Sequence, residues 1–158
     1  MSEPLDYNTI APEAIRPLFA AAQALRNSGL PANLLALVQI RASQINGCAF
    51  CLALHVREAE AMNEGGDRVA CLPGWREASF YDPRERAALE WTEALTRISE
   101  ARPDESILAR VREQFNDKEL VYLTLAIATI NTWNRFNVGF HTPPERAQEV
   151  FDQVYART

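Results

Sequence analysis

An all-α fold is predicted by three features of the sequence. Apolar residues recur at three- and four-residue spacing, Pro, Asp and Asn stand where several such stretches begin, and no segment combines strict alternation with hairpin turns. After a Pro-containing arm, Ile15, Leu18, Phe19, Ala22 and Leu25 make the stripe of a helix over roughly Pro12 to Arg26, which Asn27-Ser28-Gly29 ends. Pro31 suits the first turn of a second helix, with Leu34, Leu35, Val38 and Ile45 on its apolar face and Asn46-Gly47 closing it. A third is predicted from about Cys48 to Asn63, stopped by Gly65-Gly66. Between Asp67 and Tyr81 the apolar run is short, Pro73-Gly74 signals a turn, and Trp75 is expected to anchor the connection.

Asp82-Pro83-Arg84-Glu85 is a strong helix start. Asp can cap exposed amides, Pro is tolerated at the first position, and Glu85 can reach back in a capping box. The helix runs to about Ile98, with Ala88, Leu89, Trp91, Thr92 and Leu95 toward the core and Arg84, Glu90 and Arg97 left to water. Pro103-Asp104 opens another to about Phe115. Asn116-Asp117 caps a long apolar one from Lys118 to about Asn137, and a last helix spans Glu145 to Tyr155 with Ala147, Val150, Phe151 and Val154 on one side. No repeat or low-complexity linker divides the chain. Its 158 residues, 47% hydrophobic, suit one domain, 1–158, whose core needs no disulfide staple.

A net charge of -5 with both signs interspersed argues against a nucleic-acid or anionic-membrane surface. Met1 to Asp6 lacks a basic segment followed by an apolar one, and no apolar run approaches a membrane span, so a cytoplasmic location is expected. In a reducing compartment a close Cys-x-x-Cys pair signals redox or metal chemistry more often than a staple.

That pair, Cys48 and Cys51, follows Asn46-Gly47 directly, and His55 comes four residues later. On a helix starting near Cys48, Cys51 and His55 lie one and two turns further along nearly the same face. A free thiol has a pKa of about 8.5, so something must favour its thiolate. Cys48 would feel the unsatisfied amides of the helix N-terminus, whereas Cys51 has His55 within reach as a base. Cys51 as nucleophile and Cys48 as resolving thiol is one assignment; Cys48 attacking first is the other, and the residues leave both open. Two further readings are core packing of both thiols and a zinc site completed by Cys71 or His141. Neither Cys71 nor His141 has a partner at metal-ligand spacing. Cys71 is expected to be half-buried and His141 a surface or capping residue. Trp91, Trp133, Phe136 and Phe140 read as core or interface.

The stretch Arg41, Ser43, Gln44, Ile45, Asn46, Gly47, Cys48, Cys51, His55 resembles the carboxymuconolactone decarboxylase superfamily, and specifically its alkylhydroperoxidase D-like (AhpD-like) branch. The likeness extends through Arg86 to Trp91 and Ile130 to Asn137. It implies an AhpD-like all-helical fold, assembly into dimers or hexamers, and thiol-dependent peroxidase or disulfide-reductase activity without metal or other cofactor. The partner would be a small hydroperoxide or another protein's disulfide. It also implies that Cys51 forms the sulfenic acid and Cys48 closes the disulfide.

Two positions depart from the branch's pattern: Ala36 stands where its relay Glu is placed, and Phe50 where a Tyr separates the thiols. Glu58 could substitute as the acceptor for His55, although an exposed helix Glu is the preferred reading; Gln39 and Ser43 could hold a water instead. A weak peroxidase is expected. The rivals are a non-enzymatic stress-related binding module on the same scaffold, favoured by Ala36 and Phe50, and a lactone decarboxylase, which the Cys pair disfavours.

Overall fold

The start signals act close to where they stand. The computed structural model describes residues 4–155, among which helices follow one another with no strand. They are α1 (Tyr7–Ile10), α2 (Pro12–Arg26), α3 (Ala32–Asn46), α4 (Ala49–Ala61), α5 (Asp67–Ala70), a 3-10 turn (Leu72–Gly74), α6 (Pro83–Thr96), α7 (Glu105–Gln114), α8 (Asp117–Gly139) and α9 (Arg146–Tyr155). Met1, Ser2 and Glu3, part of the stretch read for a leader, lie outside the described residues. No helix among the described residues is long and apolar enough to cross a membrane.

Asp82 and Asn116 both complete capping boxes, with Glu85 and Glu119 each accepting from the cap residue's own backbone N–H. Removing the cap oxygen in Asp82→Ala is expected to lower stability by about 1 kcal/mol, measured by urea unfolding. Other boundaries differ from expectation. Pro31 precedes α3 as its N-cap instead of lying in its first turn. The arm before Pro12 contains α1, whose four residues are too few to show a period, and Asp6 caps it by accepting from the Asn8 amide. Arg84 is engaged with the Glu119 carboxylate at 2.8 Å, so it is not simply solvated. Val154 is exposed, and Cys71 is exposed where a half-buried thiol was expected.

α3 is the organising element. Leu34 to Val38, Ile40, Arg41, Ala42 and Ser43 are all buried, as befits a helix apolar on nearly every side, and it packs against α4, α6 and α8. Three clusters surround it. Leu34, Leu35 and Val38 meet α2, α6, α7 and α8; Ala36, Leu37 and Ile40 meet Ala59, Leu72, Trp75, Tyr81 and Leu89. Trp75 anchors its connection as expected, buried and donating Nε1 to Glu93 at 3.0 Å. In the third cluster Ala42 meets Cys48, Phe50, Cys51, Ile130 and Ala147, joining α3, α4, α8 and α9 around the two sulfurs.

Candidate thiol-disulfide site

A single residue separates α3 from the N-cap of α4, and its conformation sets the site. Gly47 adopts φ +66°, the left-handed region that glycine enters without a Cβ penalty. The next amide, Cys48 N–H, returns to the Ser43 carbonyl at 3.0 Å, the six-to-one bond of a Schellman ending. The chain thereby reverses at once, and Cys48 becomes the N-cap of α4, its sulfur accepting from the Cys51 amide at 3.3 Å. With Cys51 one turn in, the two Cα atoms are 5.4 Å apart and the thiols are joined as a disulfide. Both residues are buried, at 1% and 2% exposure.

One turn further along α4, His55 is also buried, and its Nδ1 lies 2.6 Å from Glu58 Oε2. The preferred sequence reading of Glu58 as an exposed surface residue is therefore incorrect: its side chain is only 17% exposed and turned to the imidazole. A carboxylate only accepts, so Nδ1 carries the hydrogen and the neutral ring presents its lone pair at Nε2. In the disulfide form no hydrogen bond joins His55 to either sulfur among the described residues. Ser43 is fully buried and accepts from Asn134 Nδ2 at 3.0 Å, and Gln39 is half-buried without a hydrogen bond among the described residues. Neither makes a hydrogen bond to His55 among the described residues, where the imidazole's partner is Glu58. Ala36, at the position of the missing Glu, is 2% exposed in the apolar second cluster, and Phe50 packs against the sulfurs. Putting a carboxylate back in Ala36→Glu would bury a charge among Leu37, Ile40 and Leu89; a loss of about 2 kcal/mol or more in urea unfolding is expected.

A row of α8 asparagines also meets the site. Asn134 bridges Ser43 and Asn46, the latter donating at 2.8 Å, and Asn131 accepts from the same Asn46 amide at 3.0 Å. Asn137 places Nδ2 3.5 Å from Cys51 Sγ, while its Oδ1 accepts from the Tyr7 hydroxyl at 3.0 Å. Burial raises the Tyr7 phenol above its ordinary pKa, an effect reinforced by Asp6 and partly offset by Arg146 and the Asn137 hydrogen bond. The available signal was Asn at 131, 134 and 137, a poor helix former repeated every three residues inside an apolar helix.

Cys71 and His141 are both exposed and are not brought to the pair. Among the described residues no group of three or more His, Cys, Asp or Glu could hold a metal ion.

A family model described as the carboxymuconolactone decarboxylase family matches residues 12–94, from α2 through most of α6. The chain belongs to this family. The matched part contains Cys48, Cys51, His55 and Glu58, whereas the α8 asparagines lie beyond it. The uncharacterised Bacillus subtilis protein YdfG is 38% identical over 139 residues, 88% of this chain and 95% of its own length. The solved structure of ATU0492 from Agrobacterium tumefaciens, a protein of unknown function described as a candidate AhpD antioxidant defence protein, is also 38% identical. It superposes with a TM-score of 0.84 over 90% of this chain and 97% of its own. The debrominase Bmp8, solved as a cysteine-to-alanine variant in complex with 2,3,4-tribromopyrrole, shares the fold at 18% identity, with a TM-score of 0.77 over 91% of this chain and 77% of its own. The fold is thus AhpD-like, and the close Cys48–Cys51 pair fits a Cys-x-x-Cys site within it.

Proposed function

We propose that the chain is a dithiol–disulfide oxidoreductase of the AhpD type that reduces a small hydroperoxide. The observation carrying this reading is the disulfide at the start of α4 with a carboxylate-held imidazole one turn beyond it. In the reduced protein His55 Nε2 takes the proton of Cys51, and Glu58 stabilises the imidazolium that results. The Cys51 thiolate attacks the terminal peroxide oxygen. The O–O bond breaks, the alcohol leaves with the proton from His55, and Cys51 is oxidised to sulfenic acid. Cys48 then attacks the Cys51 sulfur; the hydroxyl leaves with the Cys48 proton as water, and the disulfide closes. The net change is one hydroperoxide and two thiols to one alcohol, one water and one disulfide, which an external dithiol or partner-protein dithiol must reduce again.

Single variants test the roles. Cys51→Ser is expected to abolish hydroperoxide turnover in the presence of a dithiol reductant. Cys48→Ser is expected to leave a sulfenic acid at position 51 that dimedone traps; a dimedone adduct at Cys48 in Cys51→Ser, with none at Cys51 in Cys48→Ser, would reverse the assignment.

A non-enzymatic binding module is the second reading, favoured by the burial of both sulfurs. It requires both variants to leave the physiological response intact. Self-association as a dimer or hexamer belongs to the proposal, supported by exposed Phe19 and Val138 beside the partly buried Trp133, Phe136 and Phe140. Sedimentation velocity tests it.

A further inference from the structure

The hydrogen bond from α8 to the sulfur has no part in the scheme above, and its partners are over-determined. The Asn137 amide nitrogen donates to the Trp133 carbonyl at 2.9 Å. A carbonyl only accepts, so the amide cannot turn its oxygen that way. The oxygen is held from the other side by the Tyr7 hydroxyl at 3.0 Å, and the second N–H is thereby aimed at Cys51 Sγ, 3.5 Å from the nitrogen. Asn137 is 4% exposed, so water does not compete for the amide. Tyr7 is set in turn by rings on α8 and just beyond it: its centroid lies 5.2 Å from Phe136 and 5.9 Å from Phe140. The link spans the fold, from α1 through the end of α8 to the first turn of α4.

We propose that Asn137 is a catalytic residue that stabilises the Cys51 thiolate by donating its side-chain N–H to the sulfur, with Tyr7 as the positioning residue that fixes the amide. This rests on the reading of Cys51 as nucleophile. An amide N–H held toward a buried sulfur favours the anion over the thiol, because the anion is the stronger acceptor and has lost its water. The helix N-terminus favours ionisation through the backbone of α4, and Asn137 adds a side-chain donor from a different helix, α8. It also distinguishes the two thiols: Cys48 Sγ accepts from a backbone amide, Cys51 Sγ from this side chain. The phenol, raised by burial, stays protonated through the range in which thiols ionise, so it continues to donate to Oδ1. Of the elements around this sulfur, α4 carries His55 and Glu58, α1 Tyr7 and α9 Arg146, while Ser43 of α3 and Asn134 of α8 are uncharged.

The test uses the full-length chain with Cys48→Ser and Cys71→Ser, which leaves Cys51 as the only thiol. Its ionisation is followed by ultraviolet thiolate absorbance against pH. Adding Asn137→Leu is expected to raise the midpoint by about one pH unit, a roughly tenfold smaller thiolate fraction below both midpoints. Tyr7→Phe removes only a hydroxyl and is expected to raise it by about half a unit. An unchanged midpoint in folded Asn137→Leu overturns the proposal; if that variant does not fold, an unchanged midpoint in Tyr7→Phe overturns it. The two readings fail separately. A shifted midpoint in a protein whose wild-type thiols survive peroxide sinks the redox reading alone, and an unshifted one in a protein that forms the 48–51 disulfide sinks the Asn137 assignment alone.

Discussion

Glu58→Gln is expected to slow peroxide-driven closure of the Cys48–Cys51 disulfide by about two orders of magnitude, read as a single-turnover rate. The carboxylate does two things for His55 at 2.6 Å: it holds the Nδ1 hydrogen, leaving Nε2 free to take the thiol proton, and it stabilises the charged ring. Gln keeps the size but loses the charge, and in one of its two orientations it offers an N–H to Nδ1, favouring the wrong tautomer. Helix content should not change, because Glu58 lies near the end of α4 and its side chain touches water. An unchanged rate would mean that the pair is an ordinary i,i+3 contact and that Ala36 marks a relay lost without replacement.

The second large effect concerns stability. Glu93 on α6 accepts from Arg41 at 2.7 and 2.8 Å, from Trp75 at 3.0 Å and from Arg76 at 2.7 Å, and it is buried. Glu93→Ala would strand the Arg41 guanidinium, 9% exposed, with Gln44 as its remaining acceptor, and leave the Trp75 N–H unmet. Loss of one partner from such a buried pair costs about 3–5 kcal/mol, so a large fall in the urea midpoint is expected; a change below about 1 kcal/mol would show that the site relaxes or hydrates. Burial pushes the Glu93 carboxyl up, but the hydrogen bonds from Arg76, Arg41 and Trp75 outweigh it and hold the group below its ordinary value. The sign follows. A depressed folded value contributes stability that is full above the unfolded value of about 4.5 and disappears as pH falls through the folded value. Wild type should therefore lose stability on the acid side faster than Glu93→Gln.

The helices were legible wherever a local signal acted locally. Asp82 and Asn116 announce their helices because the capping atoms lie within three residues of the amides they satisfy. Cys48 at the start of α4 was legible for the same reason, since Asn46-Gly47 is a helix ending in sequence and in space. Glu58 was misjudged because an i,i+3 carboxylate reads the same whether it faces water or a buried ring; only the packing of α4 distinguishes the two. The repeated Asn at 131, 134 and 137 marked α8 as unusual, but which residues Asn137 would meet was not legible, for a different reason. Its members, Tyr7, Cys51 and Asn137, are brought together by the return of α8 and the fold of a four-residue helix, and neither feature has a sequence period that points across the chain.

In the proposed reaction Cys48 and Cys51 pass from dithiol to disulfide as a peroxide is reduced. Treating the fully reduced protein with one equivalent of an organic hydroperoxide, then alkylating and mapping peptides by mass spectrometry, tests it directly. The expected product is an unalkylated peptide joining positions 48 and 51, with Cys71 alkylated and one alcohol formed per disulfide. Recovery of alkylated Cys48 and Cys51 after prolonged exposure would contradict it.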